Sequence, residues 1–293
     1  MVIIESNDLL VKIDKFGGQM SSIYHKKNKI EYLWQKDTSY WSSSAPVVFP
    51  VIGKLNNLTM YHEGNKYEIK SNGLIRYSAL TVLRAENNFV EFLFKNEGDN
   101  LKRFPFHCSL LLRYKLIRNK LIVSATIKNE SDSTMYYFYA GHPGFNVPLF
   151  KNEKYNDYYV EFAENEQLSI YDVCETGQLL NKKILFLENE RRFFIQKKLF
   201  QKEALAFIHP KSKCISIKSI NHSHEIKVSY EDFDNLAVWS PYYKDKDIKF
   251  ICIEPWIGHT EFKDYTGDWK SHDEIACLEP KRSKQYVYSI EVI

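Results

Sequence analysis

The stretch Leu110–Lys128, LLLRYKLIRNKLIVSATIK, decides the fold. In its second half Leu121, Val123, Ala125 and Ile127 share one face, while Ser124, Thr126 and Lys128 occupy the other. A period of two marks a strand with one buried and one wet face. Arg118-Asn119 divides this run from the apolar run Leu110–Leu116, so the two read as successive strands. Just upstream, Phe89–Phe94 is apolar apart from one charge and reads the same way.

Working outward, the same pattern recurs. Val2–Ile4 and Leu9–Ile13 flank the polar break Ser6-Asn7-Asp8, and Tyr61–Ile69 reads as a hairpin about Gly64-Asn65. Ala45–Leu55, APVVFPVIGKL, is bracketed by Pro46 and Pro50, which allows an edge strand or an extended segment suited to lining a groove. Downstream, Tyr158–Phe162 and Leu168–Tyr171 are short strand candidates. Ile215 and Ile217, then Ile226, Val228 and Tyr230, alternate about the turn Asn221–His224. Leu236–Trp239 and Phe250–Ile253 are buried-type strands, and Tyr286, Tyr288, Ile290 and Val292 close the chain. Gln196–Leu205 alone has helical character and is expected to be a short helix. Many strands at close spacing, with no linker and no internal repeat, imply one large antiparallel β-sandwich. The expectation is an all-β single domain over residues 1–293.

Composition agrees: 20 Tyr and 19 Phe in 293 residues favour pleated, half-buried surfaces. The 40 basic against 37 acidic residues leave a net charge of +3, too balanced for a nucleic-acid or anionic-membrane partner. Five cysteines, an odd number with no CxxC pair, point to reduced thiols and a cytoplasmic setting. The opening MVIIESNDLLVKID lacks a signal pattern, and no apolar run approaches the ~18 residues of a membrane span. A monomer or homodimer is expected.

Chemistry concentrates in a few places. Tyr136–Pro148, YYFYAGHPGFNVP, begins as an aromatic strand and ends in a Gly/Pro turn that carries His142. A titratable group delivered by a strand to a rigid turn suits catalysis, although a hydrogen-bonded turn histidine would look the same. Glu254, in ICIEPWIG, ends an apolar strand beside Trp256. Desolvation there would raise its pKa toward that of a neutral-pH base, whereas a salt bridge would make it structural. Lys54 and Arg76 each follow a glycine-containing turn and could donate to sugar hydroxyls or a phosphate, or be ordinary surface cations. Trp41, Trp239 and Trp256 could stack on a sugar ring or pack in the core. His222 and His224 have metal-ligand spacing but no third ligand, and Cys252 has no activating partner in sequence. Neither a phosphate-binding glycine loop nor a GxSxG elbow occurs, so no metal and no cofactor are expected.

Taken in order, APVVFPVIGKL, NGLIR (72–76), RFPFH (103–107), GHPGFNVP (141–148), EALAF (203–207), LAVWSP (236–241) and CIEPWIG (252–258) resemble the aldose 1-epimerase (galactose mutarotase) superfamily, and its bacterial mutarotase-related branch most closely. The resemblance implies a galactose mutarotase-like sandwich with an open sugar cleft. It puts the family's histidine acid on His142 and its glutamate base on Glu254. Substrate contacts fall on Arg76, on Lys54 where the family usually has Arg, and on Asn72 where it usually has His. The family's Asp falls on Glu203, and Trp256 completes the set. Lysine lacks the flat two-pronged grip of arginine, and Asn cannot carry a proton charge. The implied activity is anomerisation of an aldohexose. The alternatives are a hexose-6-phosphate 1-epimerase and a carbohydrate-binding protein without turnover.

Overall fold

The computed structural model describes residues 1–293 and is built almost entirely from strands. The main antiparallel sheet has 15 strands and ends at one side with Val47–Val48 and at the other with Thr81–Glu86. Its second half runs Ser283–Val292, Lys120–Asn129, Cys108–Ile117, Phe89–Asn96 and Thr81–Glu86. The pair Cys108–Ile117 and Lys120–Asn129 is unbroken from Cys108↔Asn129 to Ile117↔Lys120. Alternate residues of Lys120–Asn129 are buried, as the alternation requires, because one face packs on the interior and the other is wetter.

The core is one contiguous cluster of 74 buried residues with members from Ile4 to Val292. The buried Tyr114 hydroxyl within it donates to the Gly18 carbonyl at 2.6 Å. A four-stranded sheet, Val2–Glu5, Leu9–Ile13, Met20–His25 and Ile30–Glu31, joins the core from the N-terminal side. No helix is long and apolar enough to cross a membrane.

Three local expectations change, and one long strand was not foreseen. Gln196–Leu205 is not a helix but a 3₁₀ turn over Lys197–Phe200, after which Glu203 sits at φ +66° and Leu205–Phe207 is a strand. Only Phe200 of that turn is buried, and Leu205–Phe207 gains its hydrogen bonds from Asn235–Trp239 instead. Tertiary pairing therefore overrides the local preference. The hairpin at Tyr61 turns at Glu63-Gly64, both at positive φ, one residue earlier than expected. Tyr158–Phe162 and Leu168–Tyr171 belong to one long strand, Tyr158–Val173, kinked by register shifts. Its partner, Leu179–Phe194, is a second 16-residue strand that carries no readable alternation, because most of its side chains face solvent.

Candidate active site

Sheet register brings the histidine and the glutamate together. Tyr139–Gly141 and Gly144–Asn146 both pair with the single strand Phe250–Ile257. Ala140 faces Trp256 before the Gly/Pro turn, and Gly144 faces Cys252 after it. The register is the same on both sides of the break, which leaves His142 opposite Glu254 as a cross-strand pair. The backbone is tied there by Ile253 N–H donating to the Pro143 carbonyl at 3.1 Å. Asn146 of the same motif is structural: its amide donates to the Glu31 and Leu33 carbonyls at 2.9 and 3.0 Å, sewing the N-terminal sheet to the site.

His142 Nε2 lies 3.3 Å from Glu254 Oε1, and both side chains are almost fully buried. The other carboxyl oxygen, Oε2, accepts from Trp256 Nε1 at 3.2 Å. Trp41 stacks on the imidazole at 5.2 Å, and Trp239 meets it edge-on at 5.8 Å. This aromatic casing dries the pair. Burial raises the Glu254 pKa from 4.5 to about 8, opposed by the Trp256 hydrogen bond and assisted by the Glu203 charge. Burial, with help from the Arg76 charge, lowers the His142 pKa from 6.5 to about 3. Burial thus disfavours the charged form of each partner, which favours a protonated carboxyl beside a neutral imidazole.

The pair opens onto a cleft of about 450 Å³, within the range of small-molecule sites. Every site residue expected from sequence lines it: Lys54, Asn72, Arg76, His142, Glu203, Glu254 and Trp256. Their surroundings differ from what the sequence suggested. The Asn72 side-chain oxygen accepts from Gly53 N–H at 2.7 Å, and Asn72 N–H donates to the Gly53 carbonyl at 2.8 Å. Asn72 is therefore a clip for the Lys54 segment first, with only its NH₂ group free. Gly73 must be glycine: φ is +76° and a Cβ would sit 2.0 Å from the Phe49 carbonyl oxygen. Arg76 donates to the Ser43 hydroxyl at 3.1 Å and has no carboxylate partner. Glu203 Oε2 accepts from Trp239 Nε1 at 3.1 Å, fixing one wall. Trp256 is buried and serves mainly as the donor to Glu254.

Trp41 and Trp239 encase the imidazole, a role that aromatic content alone could not assign. Glu175, Thr176 and Gly177, at the tip of the long hairpin, also line the cleft and were not foreseen. Nothing in an isolated turn sequence marks them. Cys252 lies beneath the pair, fully buried, and burial pushes its thiol pKa well up, so it is no nucleophile. Donor atoms of His142, Cys252 and Glu254 lie within 4.8 Å of one another, near enough to share a metal ion, although proton chemistry needs only the imidazole and carboxyl. His222 is occupied elsewhere, against the Tyr158 hydroxyl at 3.0 Å and Glu153.

The antiparallel β-sandwich is that of galactose mutarotase-like proteins. The chain belongs to the aldose 1-epimerase family, whose model matches residues 1–267. It is 30% identical to the plasmid and chromosomal LacX proteins of Lactococcus lactis subsp. lactis, over 99% of this chain and 98% of theirs. It superposes on a galactose mutarotase related enzyme from Lactobacillus acidophilus with a TM-score of 0.93 at 26% identity, covering 99% of this chain and 96% of that one. A galactose mutarotase-like protein from Lactobacillus casei gives a TM-score of 0.94 at 25% identity, with both chains covered in full.

Proposed function

We propose that this protein is an aldose 1-epimerase that interconverts the α and β anomers of an aldohexose, with His142 and Glu254 as the acid–base pair. The observation that carries the reading is the 3.3 Å contact between the two groups on the cleft floor, which lets them share one proton. Anomerisation can use that arrangement. Ring opening must take a proton from the C1 hydroxyl and give one to the ring oxygen, so the pair's proton count is unchanged at the end.

From the less favoured form of the pair, with the proton on His142, Glu254 removes the O1 proton as the C1–O5 bond breaks. The bonding electrons go to O5, which takes the proton from His142, and C1 becomes an aldehyde. The pair now carries its proton on Glu254, the arrangement burial favours. Rotation about C1–C2 presents the other face of the carbonyl. His142 then takes the O5 proton as O5 attacks C1, and Glu254 returns a proton to O1. The opposite starting assignment, with His142 as first base, carries the same single proton and is kinetically equivalent. General acid–base help of this kind is worth typically 10²–10⁴-fold. Trp41 and Trp239 supply apolar faces, and Lys54, Arg76 and the Asn72 NH₂ group supply donors for hydroxyls.

A second reading, a hexose-6-phosphate 1-epimerase, is favoured by one feature: Lys54 and Arg76 line the cleft and neither is paired with a carboxylate. Both readings are tested by following fresh α-D-glucose, α-D-galactose and their 6-phosphates by polarimetry. Acceleration of free sugars supports the first, and selective acceleration of the phosphates supports the second. Relaxation of every sugar at the buffer rate, together with saturable binding by calorimetry, would leave a carbohydrate-binding protein without turnover.

A further inference from the structure

The turn Cys174–Gln178 joins the two long strands Tyr158–Val173 and Leu179–Phe194 and contributes Glu175, Thr176 and Gly177 to the cleft wall. Its backbone closes on itself, with Cys174 N–H donating to the Gln178 carbonyl and Gly177 N–H to the Cys174 carbonyl, both at 2.9 Å. The next residue is anchored separately. Leu179 N–H donates to the Glu261 carbonyl at 3.0 Å, and Lys263 N–H donates to the Leu179 carbonyl at 2.9 Å. The turn therefore holds its shape without help from the Gln178 side chain.

That side chain is nonetheless buried, and its hydrogen bonds run to the Lys54 segment and to the turn's own side chains. Its Nε2 donates to the Lys54 carbonyl at 2.8 Å. Its Oε1 accepts from the Thr176 hydroxyl and from the Cys174 thiol, the latter at 3.3 Å. One amide thus bridges two segments remote in sequence, each of which presents a group to the cleft. From the other side, Asn72 clips Gly53, so Lys54 is held by a neighbour on each flank.

We propose that Gln178 is a positioning residue for sugar binding: its amide sets the spacing between the Lys54 segment and the Thr176 tip to fit a pyranose. The proposal rests on the epimerase reading only in its choice of ligand. Gln178 touches neither His142 nor Glu254 in the contacts that define the pair, so its loss should weaken ground-state and transition-state binding alike. Truncation would leave the Lys54 carbonyl without its donor and the Thr176 hydroxyl with only the Cys174 sulfur, at 3.1 Å, and the loosened spacing is expected to weaken sugar binding about tenfold.

The test measures anomerisation kinetics and calorimetric Kd for D-glucose and D-galactose on the wild type, Gln178→Ala and Thr176→Val, with thermal melts alongside. Gln178→Ala is expected to raise KM and Kd about tenfold while kcat stays within about twofold. Gln178→Glu keeps the acceptor for Thr176 but loses the donor to Lys54, and should bind as weakly as the alanine variant. An unchanged Kd, even with a lower melting temperature, overturns the proposal, as does a fall in kcat at constant KM. Should Gln178→Ala fail to fold, Thr176→Val removes one arm of the bridge, and an unchanged Kd there overturns it equally. A wild type that binds sugar without accelerating its anomerisation refutes the epimerase reading but leaves the Kd comparison intact. A wild type that binds neither sugar refutes both.

Discussion

Replacing Glu254 by Gln should lower activity and raise stability at the same time, and the two effects have one cause. The amide keeps the size of the carboxyl, can still accept from Trp256 Nε1 and can donate to His142 Nε2 across the present 3.3 Å. What it cannot do is exchange a proton. Loss of one acid–base partner should slow anomerisation by about 10²–10⁴-fold, roughly 3–5 kcal/mol of barrier. Stability moves the other way. The folded carboxyl titrates at about 8 rather than 4.5, because its burial keeps water out. A group whose folded pKa is raised contributes fully to stability below its unfolded value, and that contribution is lost as pH rises through the folded value. At pH 7 the wild type therefore gives up on the order of 3 kcal/mol to keep the site protonated. A glutamine amide is neutral throughout and carries no such cost. Urea unfolding of the two proteins should agree near pH 4 and diverge in favour of the Glu254→Gln variant as pH rises toward about 8. The assay pair is polarimetry for the rate and denaturation at several pH values for stability. Wild-type activity in Glu254→Gln would remove the carboxyl from the proton cycle, and a stability difference that does not change with pH would refute the desolvation argument.

Other outcomes follow from the same geometry. The pH profile of kcat/KM should be flat through neutrality and fall above about 8, as the pair loses its shared proton and can no longer supply an acid; a profile still rising above that point would contradict a buried Glu254. Trp41→Ala strips the ring stacked on His142, so water reaches the imidazole and its pKa should climb from about 3 back toward 6.5. The acidic limb of the same profile should move up with it, and an unmoved limb would mean that the drying comes from elsewhere. Gly73→Ala forces a Cβ to within 2.0 Å of the Phe49 carbonyl oxygen at φ +76°. It should cost more than the ~1–2 kcal/mol of left-handed strain alone, read as a lower urea midpoint, and a neutral substitution would show that the Phe49–Gly73 approach is loose.

The core half of the fold was legible because one-sided burial imposes a period of two, and Leu121, Val123, Ala125 and Ile127 display it openly. Where both faces are buried, as in Phe250–Ile257, the pattern disappears; only the apolar run hinted at a strand, and that strand runs on through Glu254 and Pro255, where the sequence suggested it ends. Where most side chains are wet, as along Leu179–Phe194, apolar residues remain but no period-two alternation marks a buried face. The supposed helix at Gln196–Leu205 failed because a few good helix formers cannot outweigh the hydrogen bonds that Leu205–Phe207 gains from the sheet.

Residue order alone specifies the all-β character, the rigid Gly/Pro turn that carries His142 and the motif residues that line the cleft. The first two follow from periodicity and from backbone chemistry written into single residues, and the last from the family resemblance of the motifs. Long-range packing is what sets His142 against Glu254, dries the pair with Trp41 and Trp239, commits the Asn72 oxygen to Gly53, and brings the Cys174–Gln178 turn to the cleft. Each of these depends on register between strands distant in the chain. Periodicity constrains which face a side chain takes but not which strand lies beside it, and proton sharing is set by that neighbour.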